Sequence, residues 1–166
     1  MLVGIISDTH DNLPLIDEVV ARLNKDGVQL VLHAGDYISP FVPSHFKPLK
    51  ARLVGVFGNN CAERELLKKR FAEIGAEVKS FFVDIEVDGL KVALLHGHEE
   101  ALLNSLINSG IYDVLVYGHL HKADVRTVRE TLVINPGEVC GYLSGEHTYA
   151  LLDVERRKAE IIRMAR

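Results

Sequence analysis

The chain has 166 residues, 48% of them apolar and 25% charged, with a net charge of −4. That size and apolar share fit one α/β domain, residues 1–166, with a substantial core. The acidic balance argues against a broad basic surface for nucleic acid, though not against a small phosphate site.

Met1 is followed at once by LVGIIS, with no basic stretch before it, so no signal peptide is expected. No apolar run approaches membrane-spanning length, and no membrane partner is expected. Two cysteines, Cys61 and Cys140, make no disulfide framework, which points to a cytoplasmic, reducing compartment.

Residues 2–7 read as a strand. Leu13, Ile16, Val19, Val20 and Leu23 then recur at helical spacing behind Asp11 or Asn12 as N-cap. Residues 28–33 form the next strand. Ser39-Pro40 predicts an N-cap followed by Pro at the first helical position, with Pro43 and Pro48 keeping that helix short. Residues 53–57 are strand-like, and Leu66, Leu67, Phe71 and Ile74 mark a helix. Residues 81–87 and 91–96 flank Asp88-Gly89, a hairpin signal. Leu102, Leu103, Leu106 and Ile107 mark a fourth helix with Gly110 as its C-cap. Residues 113–117, 132–135 and 149–154 complete the clear strands, with weaker ones at 124–129 and 159–164. The early alternation implies parallel pairing with helical crossovers, and the strand-rich last third implies mixed sheets covered by helices.

Five of these runs end in metal-capable side chains: Asp8-Thr9-His10, Asp36, Asn59-Asn60, His96-Gly97-His98 and His119-Leu120-His121. In α/β sheets the carboxyl ends of strands share one edge, where ligands bind. Asp8 and His10 are two apart, as are His119 and His121. In extended chain such residues project to the same side, with Thr9 and Leu120 pointing away. Singly, each has an ordinary explanation: Asp8 and Asp36 as caps or turn residues, His96 or His119 as satisfied core histidines, Asn59 and Asn60 as turn residues. Their coincidence at five strand ends favours one metal site. His33, His45 and His147 lack a paired partner and are read as structural.

The pattern SDTH, HAGDY, FGNNC, LLHGH and YGHLH resembles the calcineurin-like metallophosphoesterases, whose motifs run Asp-x-His, Gly-Asp, Gly-Asn-His-Asp/Glu, His and Gly-His-x-His. INPGE at 134–138 also looks like a loop of that family. In length the chain is similar to the small single-domain prokaryotic phosphodiesterases, the branch related to the small retromer subunit. The resemblance implies a four-layer α-β-β-α sandwich of two mixed sheets flanked by helices. It implies two divalent metal ions: Asp8, His10 and His121 on the first, Asn59, His96 and His119 on the second, and Asp36 bridging them. One motif departs. Asn60 stands where the family's catalytic histidine stands, and Cys61 replaces the acid that orients it. Asn59 keeps the ligand position.

Imidazole, carboxylate and amide donors suit Mn²⁺, Fe²⁺, Co²⁺, Ni²⁺ or Zn²⁺ better than Ca²⁺, with Mn²⁺ the first choice. Cys61 is a poor ligand candidate, and Cys140 reads as a small buried apolar residue. Two such ions, two carboxylates and a bridging hydroxide leave a site charge of about +1, a cationic pocket for a phosphate ester. The metals lower the pKa of bound water to roughly 7 and supply a hydroxide nucleophile. Asn60 cannot act as an acid near neutrality, though it can hydrogen-bond a phosphoryl oxygen. His98 is the nearest alternative donor, and a structural or surface role for it stays equally open.

The expected activity is hydrolysis of small phosphate diesters. Two alternatives remain: a phosphomonoesterase or phosphoprotein phosphatase, and a non-catalytic interaction module of the same fold. All seven ligand positions are filled by ligating residues, which weighs against the last. No basic–aromatic track supports a nuclease. A homodimer is expected from similar proteins.

Overall fold

A computed structural model describes residues 1–164. β1 (Leu2–Ile6), β2 (Leu30–His33), β3 (Arg52–Gly55) and β4 (Glu77–Val78) are linked by α1 (Leu13–Asp26), α2 (Val42–His45) and α3 (Arg64–Glu73). These four strands pair parallel in chain order, as helical crossovers dictate. β5 (Phe82–Val87) and β6 (Leu90–Leu95) then open a second sheet. It continues through α4 (Glu100–Asn108), β7 (Val114–Val116), β8 (Ala123–Val128) and β9 (Thr131–Pro136). β10 (Thr148–Asp153) and β11 (Lys158–Arg163) return to the first. The orders are β11-β10-β1-β2-β3-β4 and β5-β6-β7-β9-β8. Both sheets are mixed: β10 runs antiparallel to β1, while β5 and β8 run antiparallel to β6 and β9.

Strand alternation divides the core into three layers. Val3, Ile5, Leu30, Leu32 and Val54 of the first sheet meet Val92, Leu94, Val114, Val116 and Ile134 of the second. On the outer face of the first sheet Ile6 and Val31 pack under Ile16, Val19, Leu23, Leu67 and Phe71 of the helices. On the outer face of the second, Ala93, Leu95, Leu115 and Val133 lie under Leu103 and Ile107 of α4. The result is the expected α-β-β-α sandwich.

Local chemistry explains most boundaries. Gly27 ends α1 in the left-handed region, its N–H bonding back to the last turn. Asp88 and Gly89, at φ 46° and 84°, form the two-residue turn between paired Val87 and Leu90. The helix expected behind Ser39-Pro40 starts later. Ser39 supplies a turn, its carbonyl accepting from Val42 N–H, and Pro43 occupies the first turn of α2. The C-cap of α4 is Ser109 rather than Gly110, which follows at φ 69°. Asn12 sits at the N-cap of α1, but its amide donates instead to the Cys140 carbonyl at 3.0 Å. β4 has two residues, too short to leave a periodic signal.

Candidate metal centre

β1, β2 and β3 in one sheet, and β6, β7 and β9 in the other, deliver their carboxyl ends to one shared edge. Hydrogen bonds stitch the loops there together. Asp8 N–H donates to the Gly35 carbonyl, His10 N–H to that of Asp36, Gly118 N–H to that of His96, and Cys140 N–H to that of Asp8.

Five of the seven candidate ligands are not in extended chain. Asp8, His10, Asp36, His119 and His121 have φ between 45° and 65°. The two-apart pairs therefore share a side because of left-handed turns after β1 and β7, not because of strand pleat. Such a conformation costs a non-glycine residue on the order of 1 kcal/mol, and surrounding structure has to hold it. Two glycines help by close approach. A methyl on Gly58 would fall 2.1 Å from Asp36 Oδ1, and one on Gly118 would fall 1.8 Å from Ser7 Oγ and 2.8 Å from Asp8 Oδ2.

Asp8 is fully buried. Its Oδ2 accepts from the Ser7 hydroxyl at 2.6 Å and from His119 N–H at 3.0 Å, while Oδ1 has no hydrogen-bond partner. Burial pushes its carboxyl pKa up, against the pull of His96 and Ser7. Asp36 accepts from Asn60 N–H at 2.9 Å and from the Asn60 amide at 2.8 Å. Burial alone would raise its pKa, but the His96 imidazole beside it and the hydrogen bonds from Asn60 outweigh that and hold it well below the usual carboxylate range. Its Oδ2 lies 3.3 Å from His96 Nε2 and 3.9 Å from His10 Nε2, between the two expected ligand groups.

The imidazole tautomers are set from behind. His96 Nδ1–H donates to the Ala34 carbonyl at 2.7 Å, and His121 Nδ1–H to Glu138 Oε2 at 2.7 Å. Both Nε2 lone pairs consequently face carboxylate oxygens at 3.3 Å, His96 toward Asp36 and His121 toward Asp8. Lone pair against lone pair is repulsive unless a cation lies between them. Asp8 Oδ1, His10 Nε2 and His96 Nε2 are buried without hydrogen-bond partners. One donor atom each from Asp8, His10 and Asp36 falls within 4.8 Å of the others. The residues present thus fit divalent metal. A proton is the competing cation: burial lowers the His96 pKa, but the Asp36 and Asp8 carboxylates outweigh it and raise the value.

His119 packs edge-on to His96 with ring centroids 5.1 Å apart, and its pKa is lowered by burial and by His96. His98 lies 5.6 Å from His96 and 6.1 Å from His119, with a buried, unpartnered Nδ1. Asn59 is exposed at the same turn as Asn60, and the bonds joining that turn to Asp36 come from Asn60. Cys61 is buried and closes the turn, its sulfur accepting from Gly58 N–H at 3.3 Å.

His33 is a satisfied core residue. Gly35 N–H donates to its Nδ1, so its Nε2–H donates to Thr9 Oγ1 at 3.0 Å. Cys140 is buried as expected but is not simply apolar. Its thiol donates to Glu138 Oε2 at 3.0 Å, and its sulfur lies within 4.8 Å of His10 and His121 ring nitrogens. Burial and the Glu138 charge push the thiol pKa up, which keeps it protonated.

The model of the calcineurin-like phosphoesterase superfamily domain matches residues 1–157. The chain belongs to this superfamily. Within it, the chain is 43% identical over 159 residues to Phosphodiesterase MJ0936 of Methanocaldococcus jannaschii, covering 95% of this chain and 96% of that protein. A solved structure described as a novel archaeal phosphodiesterase superposes with a TM-score of 0.94 at 42% identity, over 99% of this chain and 100% of the other. Zinc-complexed Vps29 of Entamoeba histolytica shares the fold at 22% identity, with a TM-score of 0.70 over 99% of this chain and 98% of that one.

Sequence reasoning passed over three contributors to this calcineurin-like site. Ser7 and Glu138 were visible only as letters within SDTH and INPGE, and Tyr142 lay outside every motif. None carries a periodic or ligand signal; each matters through what it touches.

Proposed function

We propose that the chain hydrolyses small phosphate diesters at a centre of two divalent transition-metal ions. Asp8, His10 and His121 would hold one ion, Asn59, His96 and His119 the other, and Asp36 would bridge. The observation that carries this reading is the pair of imidazole lone pairs aimed at carboxylate oxygens 3.3 Å away. The diesterase reading is supported by the 43% identity to the phosphodiesterase of Methanocaldococcus jannaschii. When bound, such ions supply Lewis-acid polarisation of the phosphoryl group and a nucleophile at neutral pH. Mn²⁺ is the first choice among Mn²⁺, Fe²⁺, Co²⁺, Ni²⁺ and Zn²⁺ for this donor set.

The chain's own groups do the positioning. The Asn60 amide and N–H hold Asp36 in place, so its side chain is engaged rather than free to serve the leaving group. His98, whose ring lies 5.6 Å from that of His96 and whose Nδ1 has no partner, would be the candidate to give a proton to the departing oxygen. Two exposed aromatics stand at opposite ends of the cluster. Tyr142 has its ring centroid 6.0 Å from that of His10, and Phe81 lies 6.3 Å from His98, with the Arg64 guanidinium 4.6 Å over its ring. A diester has two arms, and each aromatic offers one arm a flat apolar surface.

No helix among the described residues is long and apolar enough to cross a membrane. The free cysteines fit a reducing cytoplasm. A homodimer, for which exposed Leu102 and Ile111 offer apolar surface, is tested by sedimentation. The reading of function is tested by reconstituting metal-free protein with Mn²⁺ and screening aryl phosphodiesters, cyclic nucleotides and monoesters. Diesters should be preferred; equal or faster turnover of monoesters would point to a phosphomonoesterase instead.

A further inference from the structure

Glu138 is fully buried, two residues beyond the end of β9. A buried carboxylate is costly unless it is well bonded, and this one collects donors from two directions. Oε2 takes His121 Nδ1–H at 2.7 Å, the Cys140 thiol at 3.0 Å and Tyr142 N–H at 2.9 Å. Oε1 takes Leu143 N–H at 3.1 Å and Ser144 N–H at 2.5 Å. Three consecutive backbone amides therefore close on the same group that sets the tautomer of a candidate metal ligand. The loop they belong to carries Tyr142, 60% exposed beside His10.

We propose that Glu138 is a positioning residue that couples the first metal position to the substrate rim. It aims the His121 Nε2 lone pair at the ion and, with the same carboxylate, fixes the loop that presents Tyr142. The inference rests on the metal reading given above. Its physical content is specific. Outer partners of metal-binding imidazoles fix ring orientation and raise ligand basicity, and losing them typically costs about 10–100-fold in metal affinity. The partner here also serves the rim, so one substitution should disturb both functions. Tyr142→Ala should disturb only the rim.

The test uses the full chain, stripped of metal and titrated with Mn²⁺ by calorimetry, with bound ions counted by elemental analysis. Wild type should bind two ions per chain. Glu138→Ala should bind the weaker-held of its ions about 10–100-fold less tightly than wild type, while the other ion is little changed. The KM for an aryl phosphodiester should rise as well, measured at saturating Mn²⁺. Glu138→Gln keeps an acceptor for His121 but sets an amide N–H₂ against the loop donors, so it should fall between the two and still fold. Tyr142→Ala should raise KM with both ions held as in wild type. Ile107→Ala, a truncation in the core under α4, lowers the melting temperature without touching the site and should leave both affinities intact. Folded Glu138→Gln or Glu138→Ala that binds both ions as wild type does would overturn the inference while leaving the metal reading standing. Wild type that binds fewer than two ions would overturn the metal reading, and the inference with it.

Discussion

Gly58→Ala is a small change with a large expected effect, because the new methyl has nowhere to go. It would fall 2.1 Å from Asp36 Oδ1 and 2.8 Å from its carboxyl carbon and its backbone nitrogen. Ordinary contact begins near 3.4 Å, so the carboxylate must retreat by roughly 1 Å, a displacement that costs about 10²-fold in rate at a positioned centre. The retreat also lengthens the 2.9 Å bond from Asn60 N–H and shifts Oδ2 from its 3.9 Å and 3.3 Å separations from His10 and His96. The variant should lose about 10²-fold in kcat/KM toward an aryl phosphodiester, equivalent to about 2.7 kcal/mol at the transition state. It should also bind less metal while keeping a native far-ultraviolet spectrum. Steady-state kinetics at saturating Mn²⁺, with circular dichroism as the control for folding, measures this. A variant within a few-fold of wild type and still holding two ions would refute the placement of Asp36 at the centre of the site.

Three further outcomes follow from the same geometry. Metal should stabilise the fold, by about 2.7 kcal/mol at a hundredfold excess over Kd; a melting temperature indifferent to chelator, in protein shown to have lost its metal, would contradict this. His33 is held at a pKa of about 3 by burial and by nearby His96, against about 6.5 when unfolded. The fold prefers its neutral form, so the stability it contributes is intact above pH 6.5 and is lost as pH falls toward 3. Urea titrations of metal-free protein should therefore show His33→Gln losing about 1 kcal/mol less than wild type per unit below pH 6. With no strong acid at position 60, aryl esters should react faster than alkyl esters. Asn60→His with Cys61→Asp should reduce the dependence of log kcat on leaving-group pKa, and His98→Ala should steepen it; equal slopes in all variants would show that leaving-group protonation is not limiting.

The architecture was legible because buried strands and amphipathic helices write their periods into the chain. Ile16, Val19, Val20 and Leu23 all lie in the core where helical spacing puts them. The start of α2 and the two-residue β4 escaped because a turn fixed by Ser39 and Pro43, or one pair of bridges, leaves no period to read. At the site, the residue types were visible at the strand ends, but their geometry was not. Left-handed backbone at Asp8, His10, Asp36, His119 and His121 comes from the loops packed around them, and nothing local in the sequence announces it. Asn60 shows the same limit: its motif position marks a missing histidine, whereas its contact with Asp36 exists only once two distant strand ends meet.

The central claim is a two-ion centre built around Asp36 that cleaves phosphate diesters. Elemental analysis of the protein after Mn²⁺ loading and gel filtration, made on the same samples as an aryl phosphodiester assay, tests it most directly. Wild type should carry two ions per chain and be active, while Asp36→Ala should carry fewer and be inactive. Full activity in protein shown to hold no metal, or saturation at fewer than two ions per chain, would contradict the account.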